Sequence, residues 1–257
     1  MKSSGIVLAA LVTMTSAALV YHRANTTMGT EWVSYLSGAD TVRAFVAVPE
    51  GAGPFPAIIV VHEWWGLNDW VQSNAKKLAK QGYLALALDL YRGEVSDDPS
   101  SAHELMRGLP EDRAIRDLRA AFVYLGSRKD VDEDRIASIG WCMGGGYSLQ
   151  AAVQIPELAA CVVNYGKLVT DPDLIAQIEA PILGIFGGQD RGIPVKDVKA
   201  FEKQAQELDK DVTVEIYPKS GHAFMNENNG KGYNASDSDD AWEKTTAFLD
   251  RHLKDKK

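Results

Sequence analysis

Cys142 stands in Gly140-Trp141-Cys142-Met143-Gly144, a thiol with a glycine two positions away on either side. The form Gly-x-nucleophile-x-Gly, set between a strand and a helix, makes a tight turn that holds a reactive side chain clear of the chain. The turn asks a strained backbone of its central residue, and the glycines remove side chains that would collide there. A cysteine so placed sits at a helix N-terminus, where the dipole and free N–H groups favour thiolate. The backbone N–H of Met143, the next residue, is the expected donor to a developing oxyanion. An inert buried cysteine in a glycine turn is the plainer alternative, since free cysteine often packs as a small hydrophobe. A phosphate loop fits less well, because Gly144-Gly145-Gly146 lacks the Lys-Ser/Thr ending and the dinucleotide spacing.

A thiol nucleophile needs a base, and the base needs an orienting group. Of the five histidines, His22 lies in the N-terminal segment, His252 on a charged last helix, His103 in an irregular stretch and His62 directly after a buried strand. His222 remains, in Ser220-Gly221-His222-Ala223-Phe224, beyond the last predicted strand. Asp190 follows the preceding strand through Gly187-Gly188-Gln189 and completes the chain order nucleophile, acid, histidine. Asp171 and Asp197 are alternatives that stand further from a strand end.

Three such residues must be brought together by strand ends. The pattern predicts strands at Val42–Val48, Ala57–Val61, Leu84–Leu88, Arg135–Ile139, Ala159–Asn164, Ile182–Phe186 and Val212–Tyr217. It predicts helices at Asp69–Gln81, Glu111–Ser127, Met143–Gln154, Val195–Leu208 and Asp239–Lys254, with at most one short helix near His103 in the polar stretch Arg92–Leu109. Alternating strands and helices imply an α/β fold, a mostly parallel central sheet with helices on both faces. Ligands of such a sheet gather at the carboxyl ends of its strands, where every motif above falls. No linker divides residues 30–257, so a single domain is expected.

The 257 residues are 46% hydrophobic and 24% charged, ordinary globular composition, and the net charge of −8 with no basic stripe speaks against nucleic acid. The two cysteines, Cys142 and Cys161, have no zinc-site spacing. Cys161 falls in a buried strand, which makes a redox pair a poor fit. Residues 1–25 read differently. Lys2 precedes an apolar run from Ile6 to Val20 with Ser16, Ala17 and Ala18 near its end, as in a secretory signal or an N-terminal anchor. A buried N-terminal helix is the alternative. The expectation is an exported, periplasmic or secreted protein that touches a membrane only through this segment. Cytoplasmic and membrane-anchored locations are the alternatives.

Four segments carry a resemblance to a known family: His62-Glu63-Trp64-Trp65-Gly66-Leu67, Leu88-Asp89-Leu90-Tyr91-Arg92-Gly93, the Cys142 turn, and Gly221-His222-Ala223-Phe224 with Tyr233-Asn234-Ala235 and Asp240-Ala241-Trp242 behind it. Over about residues 30–254 the chain resembles the dienelactone hydrolases, which have the α/β-hydrolase fold. The resemblance implies Cys142, Asp190 and His222 as a catalytic triad and Trp64 as the second oxyanion N–H. It implies that Glu63 pairs with the resting thiol, and that Tyr91 and Arg92 face substrate, Arg92 binding a carboxylate. The chloroaromatic-pathway members carry a further arginine four residues after the histidine, where this chain has Asn226, and no arginine follows before Arg251.

The expected activity is hydrolysis of a small ester or lactone through a thioester on Cys142. Neither metal nor organic cofactor is expected, and a monomer is. A carboxylesterase or thioesterase of other specificity is the nearest alternative, and a non-catalytic binding protein on the same fold a more distant one. Trp64, Trp65, Trp70 and Trp141 are candidates to wall an apolar pocket.

Overall fold

Runs of aliphatic residues without polar interruption build the centre of the molecule. Ala57–Val61 and Leu84–Leu88 are wholly solvent-free and pair in parallel, as continuous apolar strands covered on both faces do. The computed structural model describes residues 27–255, so the expected signal or anchor over residues 1–25 lies outside the described residues.

In chain order the elements are β1 (Gly29–Ser37), β2 (Asp40–Val48), β3 (Phe55–Val61), α1 (Asp69–Lys80), β4 (Leu84–Leu88), α2 (Pro99–Arg107), α3 (Glu111–Gly126) and β5 (Val131–Trp141). There follow α4 (Met143–Gln154), β6 (Ala160–Asn164), α5 (Pro172–Ile175), β7 (Ile182–Gly187), α6 (Val195–Glu207), β8 (Val212–Tyr217), a 3-10 turn (Glu227–Gly232) and α7 (Ala235–Leu253). The eight strands form one sheet in the order β1-β2-β4-β3-β5-β6-β7-β8. β2 runs antiparallel to both neighbours, and β3 to β8 are parallel.

Side chains alternate across the sheet and so feed two cores. Ile58, Val60, Ala85 and Ala87 join Trp70 and Leu78 of α1 and Trp242 of α7. Ile59, Val61, Leu84 and Leu86 join Leu118 of α3, Leu149 of α4 and Phe201 of α6. Each fully buried aliphatic side chain contributes roughly 1.5–3 kcal/mol, so the central strands carry the stability. Trp70 and Trp141 belong here and not to a pocket wall. Their rings meet edge to face at 5.3 Å, and Trp141 also packs on Trp242.

The structure adds elements that the sequence pattern did not announce. β1 was unread. Only one of its faces is covered, and its outward residues Trp32, Ser34 and Leu36 dilute the apolar signal. It turns into β2 at Gly38, whose φ of +62° a side chain would resist. β3 starts at Phe55 despite Pro56, because the β3–β5 register slips between Phe55 and Ala57 and spares the missing donor. α7 begins at Ala235 rather than Asp239, capped by the Asn234 side chain accepting from the Asp237 N–H. α2 is a true helix, capped by Asp98 with Pro99 in its first turn, yet it buries only Ala102.

Candidate active site

The turn between β5 and α4 has the geometry its sequence implies. Cys142 adopts φ 55°, ψ −118°, a conformation that costs a non-glycine residue energy and persists only where its surroundings enforce it. The enforcement is close packing of backbone. A methyl group on Gly144 would lie 2.3 Å from the Val61 carbonyl oxygen and 2.5 Å from that of His62, and one on Gly140 would strike the Gly144 carbonyl. From below, the Cys142 N–H donates to the Asn164 carbonyl (3.0 Å), and the Asn164 side-chain amide donates to the Gly140 carbonyl (3.0 Å). Met143 opens α4, so its N–H lies outside the helix's own hydrogen-bond ladder and is free for a ligand.

Asp190 and His222 come from the turns after β7 and β8, which are tied by backbone. Gly188 donates to the Tyr217 carbonyl (2.7 Å) and Gln189 to that of Ser220 (2.9 Å). A methyl on Gly187 would lie 2.4 Å from the Gly221 carbonyl oxygen. Across this joint the His222 Nδ1–H donates to Asp190 Oδ2 at 2.6 Å, while Oδ1 accepts from the N–H groups of Gly192 and Ile193. Burial by itself would raise the Asp190 carboxyl, but His222 and the two N–H groups outweigh it and hold the group below its ordinary range. For His222 burial likewise opposes charge, and the hydrogen bonds to Asp190 and to the Cys142 thiol overcome it and push the imidazole up to about 10. With Nδ1 taken by Asp190, Nε2 is the nitrogen left for the thiol. His222 and Asp190 are therefore hydrogen-bonded, and the Cys142 thiol is among the groups that act on the imidazole. Asp171, one of the alternative acids, caps α5 instead, and Asp197 lies in the first turn of α6.

The turn after β3 supplies the opposite wall. His62 is fully buried, its Nδ1–H donating to the Glu63 carbonyl (2.6 Å) while Nε2 accepts from the Leu90 N–H (3.2 Å). It is a neutral strut between the ends of β3 and β4, with burial lowering it to about 4. Glu63 is buried, and burial raises its carboxyl to about 7 against the pull of an Asn226 hydrogen bond and of His222. Asn226 Nδ2 donates to Glu63 Oε2, and Oε1 has no partner. No hydrogen bond joins Glu63 to the Cys142 thiol, since Oε2 is held by Asn226 and Oε1 has no partner, which differs from the pairing the resemblance implies. Trp64 lies in the turn closed by the Gly66 N–H to the Glu63 carbonyl (3.2 Å), beside Trp65 at 4.9 Å between rings.

Tyr91 reaches the site, its hydroxyl donating to the Met143 sulfur (3.1 Å). Beyond it lies an open cleft of about 550 Å³ bordered by Val95, Ser96, Leu105 and Arg113. Arg92, at φ 59°, turns inward and forms an ion pair with the buried Asp117 at 2.7 Å. Its guanidinium is thus committed to the fold, a different place from the substrate-facing one the resemblance implies. Two contributors escaped the sequence pattern. Tyr165, buried at φ 40°, sets its ring 5.3 Å from that of His222, and Asn164 underpins the elbow. Asn-Tyr-Gly at a strand end was the signal for both. Cys161 is free and buried on β6, donating to the Ser148 carbonyl, and burial lifts its thiol to about 11. Among the described residues no group of three His, Cys, Asp or Glu side chains is arranged to hold a metal.

The strand order, the two helical layers and the strand-elbow-helix turn define an α/β-hydrolase. The model of the dienelactone hydrolase family matches residues 42–253, and the chain belongs to that family. It is 32% identical over 231 residues to a Yersinia pestis protein provisionally named carboxymethylenebutenolidase, covering 84% of this chain and 86% of that one. It is also 32% identical over 243 residues to a Bradyrhizobium protein provisionally named 2-oxo-3-(5-oxofuran-2-ylidene)propanoate lactonase, covering 90% and 97%. Among solved structures, a Klebsiella pneumoniae protein provisionally described as a dienelactone hydrolase superposes with a TM-score of 0.80 at 28% identity, covering 87% of this chain and 98% of that one. The chain is a hydrolase acting on carboxylic ester bonds.

Proposed function

We propose that Cys142 is the nucleophile of this hydrolase and that the reaction runs through a thioester. His222 Nε2 takes the thiol proton as sulfur attacks the carbonyl carbon, and the carbonyl electrons move onto oxygen. The N–H groups of Met143 and Trp64 stabilise that oxyanion. Collapse expels the alkoxide or enolate, which takes the proton from the imidazolium; in a lactone it stays tethered to the acyl group. His222 then draws a proton from water, the hydroxide adds to the thioester, and thiolate leaves. Asp190 holds the imidazole in the required tautomer and stabilises its cation. A tetrahedral adduct carrying both sulfur and nitrogen would expel thiolate sooner than amine, so esters and lactones suit this site better than amides.

What supports this reading is the 2.6 Å contact between His222 and Asp190, with the Cys142 thiol of a strained elbow residue acting on the same imidazole. The test is hydrolysis of p-nitrophenyl acetate and of a dienelactone by the protein, Cys142→Ala and Cys142→Ser. Replacement by alanine should lower kcat/KM by about 10³-fold or more. Unchanged turnover in Cys142→Ala would remove the mechanism. We propose further that residues 1–25 direct export and that the domain acts as a monomer.

A further inference from the structure

Tyr165, the first residue after β6, is bent into the left-handed region at φ 40°, a conformation that costs a bulky residue energy. Close packing enforces the bend. The Tyr165 N–H donates to the Ile185 carbonyl (2.7 Å). Beside it, a methyl on Gly166 would strike the backbone of Gly145 and Gly146, and one on Gly145 would lie 2.6 Å from the Asn164 carbonyl oxygen. The turn after β6 is thus pressed against the first turn of α4 and has no room to relax.

The bend sets one ring in place. Tyr165 is wholly buried, and its ring meets the His222 imidazole edge to face, with centroids 5.3 Å apart and planes at 65°. On Phe224, two residues beyond His222, the same ring packs at 5.7 Å, and Phe224 leans in turn on Tyr217 at 5.0 Å. The hydrogen bond from Nδ1 to Asp190 fixes one atom of the imidazole and leaves the ring able to swing about it. The His222 side chain is 41% exposed, so one side of it faces water, which resists no swing. An aromatic edge on the other side restricts it. The Tyr165 hydroxyl has no hydrogen-bond partner among the described residues, so the ring makes the contact and the oxygen adds nothing to it.

The same turn holds the elbow. Asn164 accepts the Cys142 N–H at its carbonyl (3.0 Å) and donates its side-chain amide to the Gly140 carbonyl (3.0 Å). Two adjacent residues therefore touch the two sides of the site, one the backbone of the thiol, the other the imidazole.

We propose that Tyr165 is a positioning residue that fixes the plane of the His222 imidazole, and that the Asn164-Tyr165 turn thereby sets base and nucleophile in one frame. This rests on His222 being the base.

The test compares the parent with Tyr165→Phe, Tyr165→Leu and Tyr165→Gly. Phenylalanine keeps the ring and drops an unpaired hydroxyl. Leucine fills much of the space without an aromatic edge. Glycine removes the side chain and suits the backbone at φ 40°, so it keeps the turn should leucine fail to fold. The first readout is the downfield proton resonance of the His222 Nδ1–H on Asp190. It should be sharp in the parent and in Tyr165→Phe, and broadened or lost by exchange with water in the leucine and glycine variants. The second is turnover of p-nitrophenyl acetate. Without the ring, kcat should fall roughly 10- to 100-fold with little change in KM, and Tyr165→Phe should restore most of it.

A folded leucine or glycine variant that keeps both the resonance and kcat would overturn the proposal. So would loss of the resonance in Tyr165→Phe, since the hydroxyl and not the ring would then be acting. The resonance needs no turnover. It decides the role of Tyr165 even where Cys142→Ala leaves hydrolysis unchanged and the catalytic reading falls.

Discussion

Glu63 carries a stability signature that is separate from its place in catalysis. Burial dominates its environment and raises it to about 7, whereas in the unfolded chain it returns to the ordinary glutamate value of about 4.3. An acid raised on folding binds its proton more tightly in the native state. Its contribution is therefore complete below the unfolded value and is lost as pH rises through the folded one. Glu63→Gln removes the titration while keeping an oxygen for the Asn226 amide. Thermal unfolding should show the variant and the parent close together near pH 4, diverging through pH 5–7, with the variant ahead by on the order of 2 kcal/mol at pH 8. A variant no more stable than the parent at pH 8 would mean that the carboxylate is solvated in a way its burial does not suggest. His222 behaves differently: burial opposes its charge, and Asp190 and the Cys142 thiol outweigh it and raise the imidazole.

At the scale of elements, Asp190 and His222 depend on one joint. The turns after β7 and β8 approach so closely that Gly187 has no room for a side chain against Gly221. Gly187→Ala must push those turns apart and lengthen the 2.6 Å contact between Asp190 and His222. The expected result is a fall in kcat of about 10²-fold on p-nitrophenyl acetate, as misplacement by about 1 Å brings, with a smaller change in KM. Turnover at the parent rate would show that the joint yields elsewhere. The same scale explains what the sequence made legible. Cys142, Asp190 and His222 each follow a short solvent-free strand, and such strands announce themselves by unbroken aliphatic runs. β1 has one wet face and β5 starts with the polar Asp132, Glu133 and Asp134, so their true extents were blurred. The partner of Glu63 was illegible for another reason. Asn226 lies more than 160 positions away, and nothing local to either residue records that the fold joins them.

At the scale of the whole molecule, the sheet brings the turns after β3, β5, β7 and β8 to one edge, which is why residues from position 63 to position 226 share a site. The parallel order and two-sided cover followed from the alternation of elements; the antiparallel hairpin at the β1 edge did not. The first 25 residues add a prediction about the cell. Expressed in full length in a Gram-negative host, the protein should appear in the periplasmic fraction, shortened by about 20–25 residues in intact-mass analysis, as the usual length of a secretory signal implies. Full-length protein confined to the cytoplasm would set export aside.

Chemistry and recognition are unequally rooted in this scaffold. Cys142, His222 and Asp190 hang from backbone packed so closely that single methyl groups are excluded, while α2, which faces Trp64 through His103, buries only Ala102 fully and rests part-buried Leu105 on the core. A segment so lightly attached can be exchanged, lengthened or recoloured with new side chains without disturbing the reacting atoms. Selection acting on it would diversify what is bound far sooner than what is done to it. Two members of the lineage can therefore share an identical reaction centre and have no substrate in common.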